Sequence, residues 1–295
     1  MTPSSHEGLP RQGLLLLAML SLFWGANWSV MKMVLSEVPP FYFRTMCLLG
    51  GGTGLLCVAR LSGVPIRVPE RQWKKVLWLA AFNLACWNAL VIIGVSQLSS
   101  GRAALLGYTM PLWSTLLSIR FLGERLRART VVGLLLGVAG IAVLLLDSME
   151  GMQQAPIGVI CMILGALSWA IGMVLFKRLP VAMPLASLTG WMMLVSSAPM
   201  LLLAVPLETS RLVMPGIGPI LGVLYNVFIA FMLCNWAWNR IMQMVPVSVS
   251  ALSSLAVPLI GVLCGVVFLN EPLGWQEMAA SLLIVGAVAS VSIRR

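Results

Sequence analysis

Charge is scarce in this chain. Only 9% of its 295 residues are Asp, Glu, Lys or Arg, whereas soluble domains carry about 25%. A chain of this size could not cover a water-facing surface with so few charges, which excludes a soluble globular protein. Histidine is scarcer still: the only one is His6, in the polar leading segment, so no histidine metal site or proton relay can be assembled. The six cysteines all sit inside apolar runs, at spacings that fit no zinc or redox motif. They read as small buried apolar residues. No Asp or Glu lies in the middle of any apolar run. Proton-coupled carriers commonly embed a carboxylate or histidine there, so nothing positive points to proton coupling. With no metal cluster and no catalytic dyad, neither an enzyme nor a cofactor is expected.

What fills the chain is apolar: 60% of it is hydrophobic. A membrane span needs about 20 apolar residues. Ten segments qualify, at about 13–31, 40–59, 76–96, 101–120, 130–147, 157–176, 184–205, 216–239, 246–269 and 274–292. Each should be a helix, because a spanning segment must satisfy its own backbone hydrogen bonds. The reading is all-α, a polytopic membrane protein with lipid around it. The net charge of +10 would suit nucleic acid, but the basic residues lie in short turns between apolar runs. Orientation in the membrane explains them better. With the amino terminus in the cytoplasm, fifteen Lys and Arg fall inside and three (Lys32, Arg102, Arg211) outside. That asymmetry predicts an even number of spans and both termini cytoplasmic.

The chain also repeats itself. Pro111, Phe121, Leu122 and Glu124 recur 147 residues later as Pro258, Phe268, Leu269 and Glu271. Asn88 recurs as Asn235 at the same offset, and Trp24 with Lys32 as Trp169 with Lys177. The loop from Asp147 to Pro156 divides the spans five and five, giving candidate repeats 1–148 and 149–295. Five is odd, so the second repeat should be inverted, an architecture common among secondary transporters.

Polar and aromatic residues at helical spacing inside aliphatic spans mark a candidate cavity. Trp24, Asn27, Trp28 and Met31 form one stripe. Span 6 echoes it with Trp169, Gly172, Met173 and Phe176. Asn83, Trp87 and Asn88 in span 3, Tyr108 in span 4, and Asn235 and Trp236 in span 8 complete the candidate substrate-binding set. Amides facing lipid are costly, so these side chains face protein or water. They could line a cavity or simply join helices. Rings beside a few amides suit an amphipathic solute of amino acid size. Arg44 is the one charge well inside a span; it could snorkel to the interface or attract a substrate carboxylate. Lys32 and Lys177 read as anchors. Pro111 and Pro258 each remove a helix hydrogen bond and should kink their rods, as static bends or as gates. Glu124 and Glu271 could close gates by pairing with basic residues, or stand as solvated end charges. Gly133, Gly137 and Gly140 give a small face on span 5 for packing within the chain or in a homodimer.

Ten spans, the five-plus-five repeat, the span-4 proline and the Phe-Leu-Gly-Glu that follows it resemble the EamA type of the drug/metabolite transporter superfamily. Within it, the size and the basic residue early in span 2 are similar to YddG-like aromatic amino acid exporters. The resemblance covers about residues 13 to 293. It implies a cavity surrounded by spans 1–4 and 6–9, with spans 5 and 10 outside it. It also implies an inner-membrane carrier that exports small metabolites by alternating access, aromatic and other apolar amino acids first, as a facilitator. Other small solutes or drugs with proton coupling, and a channel-like facilitator, are the alternatives.

Overall fold

In hydrocarbon an apolar run must close its own backbone hydrogen bonds. The computed structural model, which describes residues 11–125, 128–146, 155–269 and 274–292, does so as helix, with no strand among the described residues. Ten rods occupy the ten expected segments. They are α1 (Arg11–Val34), α2 (Pro40–Leu61), α3 (Trp73–Gln97), α4 (Ser100–Gly107 and Met110–Leu122), α5 (Ala128–Leu146), α6 (Pro156–Arg178), α7 (Leu185–Glu208), α8 (Ile217–Met244), α9 (Val247–Ser253 and Ala256–Leu269) and α10 (Trp275–Ser292). Six of them, α1, α2, α3, α6, α7 and α8, are long and apolar enough to cross a membrane, and shorter apolar runs lie within α5, α9 and α10. Most of the loop from Asp147 to Pro156 lies outside the described residues, and so does Glu271.

Four rods are irregular, in matching places. α3 contains a π-helical turn at Ala81–Ala85, and α8 one at Asn226–Leu233. α4 breaks after Gly107 and α9 after Ser253. The sequence leads one to expect kinked rods at Pro111 and Pro258; the structure has interrupted ones. Pro111 is the second residue of the second half of α4. There its missing N–H is one that a helix start leaves unused anyway. The breaks are bridged by tightened i to i−3 bonds: Thr109 N–H to Leu106 O (3.2 Å) in α4, and Leu255 N–H to Leu252 O (3.2 Å) in α9.

The rods pair across the two halves of the chain. α2 packs on α7, α5 on α10, α1 on α8 and the second half of α9, and α6 on α3 and the second half of α4. The small face of α5 is used in this packing. Gly133, Gly137 and Gly140 are buried, and a Cβ on Gly137 would lie 3.1 Å from Leu255 and 3.9 Å from Ala287. At the α2–α7 crossing the backbones nearly touch. A Cβ on Gly52 would lie 2.9 Å from the Gly190 carbonyl oxygen, and one on Gly190 would lie 3.1 Å from that of Gly52.

Three carboxylates tie helix starts to distant segments. α2 begins with Pro39 and Pro40, which offer neither a capping side chain nor an N–H. Glu208, the last residue of α7, takes the role instead. Its carboxylate accepts from Phe41 N–H (2.9 and 3.1 Å) and Tyr42 N–H (3.0 Å). An anion at a helix N-terminus satisfies orphan donors and meets the positive end of the dipole. Glu37 likewise accepts from Gly216 N–H (2.6 Å) at the start of α8, and Glu124 from Val247 N–H (2.9 Å) at the start of α9. Lys32, expected as an anchor, donates to the carbonyls of Val95 (3.1 Å) and Leu98 (2.8 Å) at the end of α3.

Two substitutions test this account of the α2–α7 pair. Gly52→Val should lower stability by about 1–3 kcal/mol, because a backbone carbonyl cannot move aside as a side chain can. Glu208→Ala should lower it by about 1.5–3 kcal/mol, because it strips a charged acceptor from two N–H groups. Thermal unfolding in detergent measures both, and unchanged midpoints would contradict the account.

Candidate functional site

The irregular turns build the site. A π turn has a wider ring than an α turn and frees a carbonyl. In α8 the freed carbonyl is that of Ala230, which accepts from Trp24 Nε1 on α1 (2.9 Å) and from Asn235 Nδ2 (3.2 Å). In α3 the corresponding carbonyl, that of Phe82, accepts from Ser168 Oγ on α6 (2.9 Å). Each π turn thus holds a rod from the other half of the chain. The break in α4 places Tyr108 against Trp28, ring centroids 6.4 Å apart.

Between these elements lies a cavity of about 70 Å³. A water needs roughly 10–15 Å³ on this scale, so there is room for about five. The wall contains Trp24, Asn27, Trp28, Met31, Arg44, Leu84, Trp87, Asn88, Val91, Tyr108, Met110, Trp169, Ala230, Phe231 and Asn235. Three of its indoles, Trp24, Trp87 and Trp169, cluster with Trp238, which is buried behind the wall. Trp169 meets Trp87 at 5.0 Å, Trp24 at 6.0 Å and Trp238 at 6.2 Å between centroids, and Trp24 meets Trp238 at 5.9 Å. Tilted and edge-on contacts of this kind are the favoured ones for aromatic rings.

Arg44 is 3% exposed, so it does not snorkel outward. Its guanidinium carbon lies 5.2 Å from the Phe43 ring centre and 5.5 Å from that of Phe231, and one terminal nitrogen donates to Met31 Sδ (2.7 Å). Among the described residues no carboxylate lies within ion-pair distance of it. Its Nε has no partner, and neither do Asn27 Oδ1 and Trp169 Nε1 in the same wall.

Of the residues expected at a binding site, Trp24, Asn27, Trp28, Trp87, Asn88, Tyr108, Trp169, Asn235 and Arg44 lie in this wall. Three do not. Asn83 packs against Gly172 on α6 and donates to Leu79 O (3.1 Å). Met173 is wholly buried in the core, and Trp236 packs on the core from its edge. Pro111 and Pro258 are buried beside the breaks. Glu124 sits at the far end of α4, where it bonds α9 and its charge acts on Lys177 of α6. Nothing in the sequence singles out Ala230 or Phe231, because both lie inside an unbroken apolar run. Glu208 carried no local signal either, since its partners are on another rod.

Trp24 and Trp169 occupy related places but differ in hydrogen bonding, which gives a paired test. Trp24→Phe and Trp169→Phe remove the same volume. The first also breaks the bond to Ala230 and should cost an extra ~0.5–1.5 kcal/mol; the second removes a buried donor that has no partner, which relieves a penalty. Unfolding midpoints in detergent should therefore fall further for Trp24→Phe. Equal midpoints would contradict the difference.

Comparison with known proteins fits this architecture. The EamA-like transporter family is matched twice, over residues 11–146 and 156–293. The uncharacterized transporter YvbV of Bacillus subtilis is 29% identical, over 95% of this chain and 91% of its own length. The uncharacterized inner membrane transporter YedA of Escherichia coli is 27% identical, over 93% and 88%. An Escherichia coli protein named "Probable amino-acid metabolite efflux pump" is 25% identical, over 96% of each chain. A solved crystal structure superposes with a TM-score of 0.77 at 24% identity, covering 94% of this chain and 95% of that one, and shows likeness of fold. With the family matched along both halves and an all-helical, polytopic membrane fold in place, the chain belongs to the EamA-like transporter family of the drug/metabolite transporter superfamily.

Proposed function

We propose that this chain is an inner-membrane facilitator that exports small amphipathic carboxylates by alternating access, with aromatic and other apolar amino acids the first candidates. In this reading all ten rods cross the membrane, both termini are cytoplasmic, and residues 1–148 and 149–295 are inverted repeats around the cavity. The observation that carries it is the cavity wall, which brings together a buried cation, Arg44, the indoles of Trp24, Trp28, Trp87 and Trp169, and the amides of Asn27, Asn88 and Asn235. A carboxylate would take the guanidinium, and an apolar side chain would rest on the rings. The names of the efflux relatives support an amino acid metabolite as cargo. The breaks near Pro111 and Pro258 supply bending points in α4 and α9, and the one in α4 borders the cavity through Tyr108 and Met110.

One contact favours a second reading, in which export is coupled to protons. Glu124 bonds one half of the chain to the other at the end of α4, where taking up a proton would weaken the link. Glu271, its repeat partner in sequence, would act at the opposite end.

Uptake of labelled phenylalanine, methionine and threonine into proteoliposomes distinguishes these. The facilitator predicts saturable uptake that preloaded unlabelled solute stimulates and a pH gradient leaves unchanged. Uptake that requires the gradient, and is lost in Glu124→Gln, would support coupling. No uptake of any of the three by folded protein would remove the amino acid assignment.

A further inference from the structure

Resting on the reading of this cavity as the transport site, we infer that its preferred cargo is a net anion: an aryl- or alkyl-substituted monocarboxylate without an adjacent ammonium group. The argument is one of charge and of unmet hydrogen bonds. Among the described residues Arg44 is the only charged side chain in the wall, and it is buried. A buried cation without a counter-ion is strongly unfavourable, and its immediate neighbours are two aromatic rings and a thioether, none of which neutralises it. The missing negative charge is therefore one that a ligand can supply.

Two of the three orphan atoms in the wall are donors. Arg44 Nε and Trp169 Nε1 are donors without acceptors, and both are in side chains more than nine-tenths buried. A carboxylate offers four lone-pair sites and no donor, which matches donors of this kind. The third orphan, Asn27 Oδ1, accepts a neutral N–H or O–H. Nothing in the wall balances an ammonium. Among the described residues no carboxylate lines the cavity, and a zwitterion bound through its carboxylate would hold its ammonium near the guanidinium in a site of low dielectric, where like charges repel far more than in water. The ring faces offer a cation some compensation, but the indoles spend much of that surface on one another.

Three ligands of one shape and different charge test this: 3-phenylpropionate (an anion), phenylalanine (a zwitterion) and 2-phenylethylamine (a cation). Their binding to the purified full chain in detergent at pH 7 is measured by titration calorimetry. The expected order is propionate first, by about tenfold or more over phenylalanine, and the amine last. Arg44→Gln should abolish that preference. Because Arg44→Gln could unfold the chain, Trp169→Phe provides a second variant. It should weaken propionate binding several-fold while leaving the fold intact. Phenylalanine binding as tightly as propionate would overturn the inference and leave the cavity as an amino acid site. The amine binding tightest would overturn the inference and the carboxylate role of Arg44. No binding of any ligand, by protein that still unfolds cooperatively, would remove the cavity reading itself and the inference with it.

Discussion

A peptide group in hydrocarbon has no solvent to turn to, and the whole molecule is arranged around that fact. It is why the described residues are helical, and why every departure from regular helix occurs where other protein can meet the freed groups. The π turn in α8 gives a carbonyl to the indole of Trp24, and the one in α3 gives a carbonyl to the hydroxyl of Ser168. The breaks in α4 and α9 tighten into shorter-range bonds. Where α2 begins on two prolines, a buried carboxylate arrives from another rod. Irregular backbone within the rods lies where rods from the two halves meet, and three of those places, the two π turns and the break in α4, border the cavity. The same constraint that forces regularity elsewhere decides where a solute site can form.

Much of this was legible in the sequence, for a physical reason. A stripe of tryptophans and an asparagine inside an aliphatic run cannot face lipid cheaply, so Trp24, Asn27 and Trp28 had few places to go. Arg44 was conspicuous for the same reason. Asn83 and Trp236 show where the reasoning fails. Both lie in or just after a π turn, which adds a residue and rotates the helix face beyond it, so a regular 3.6-residue wheel aims them wrongly. Phe231 was hidden by the same turn. Met173 follows Trp169 by one regular turn, but it is taken up in the core and does not reach the wall. The partners of Glu37 and Glu208 depend on rods far apart in sequence, and no local pattern encodes that.

The indole cluster and the buried guanidinium divide the cavity into two chemical regions. Rings pack against rings and give a rigid apolar surface with little side-chain freedom to lose. The guanidinium, flanked by Phe43 and Phe231, is weakly solvated and rigidly forked, which distinguishes it from a lysine in the same place. Rigidity on both sides matters for a carrier. A site that is already ordered loses little entropy on binding, so the solute's binding energy remains available to bias the equilibrium between conformations.

The pairing of α2 with α7 bears on which parts can move. These rods come from different halves of the chain, yet they are joined along their length. Glu208 holds the start of α2 at one end. The Gly52 and Gly190 backbones meet along the crossing. At the other end, Ser187 and Trp191 of α7 donate to the carbonyls of Pro65 and Ile66, just beyond α2. A motion that parted the first half of the sequence from the second would have to break this pair, so α2 and α7 belong to one rigid unit although the two rods lie on opposite sides of α5 and α6 in the chain.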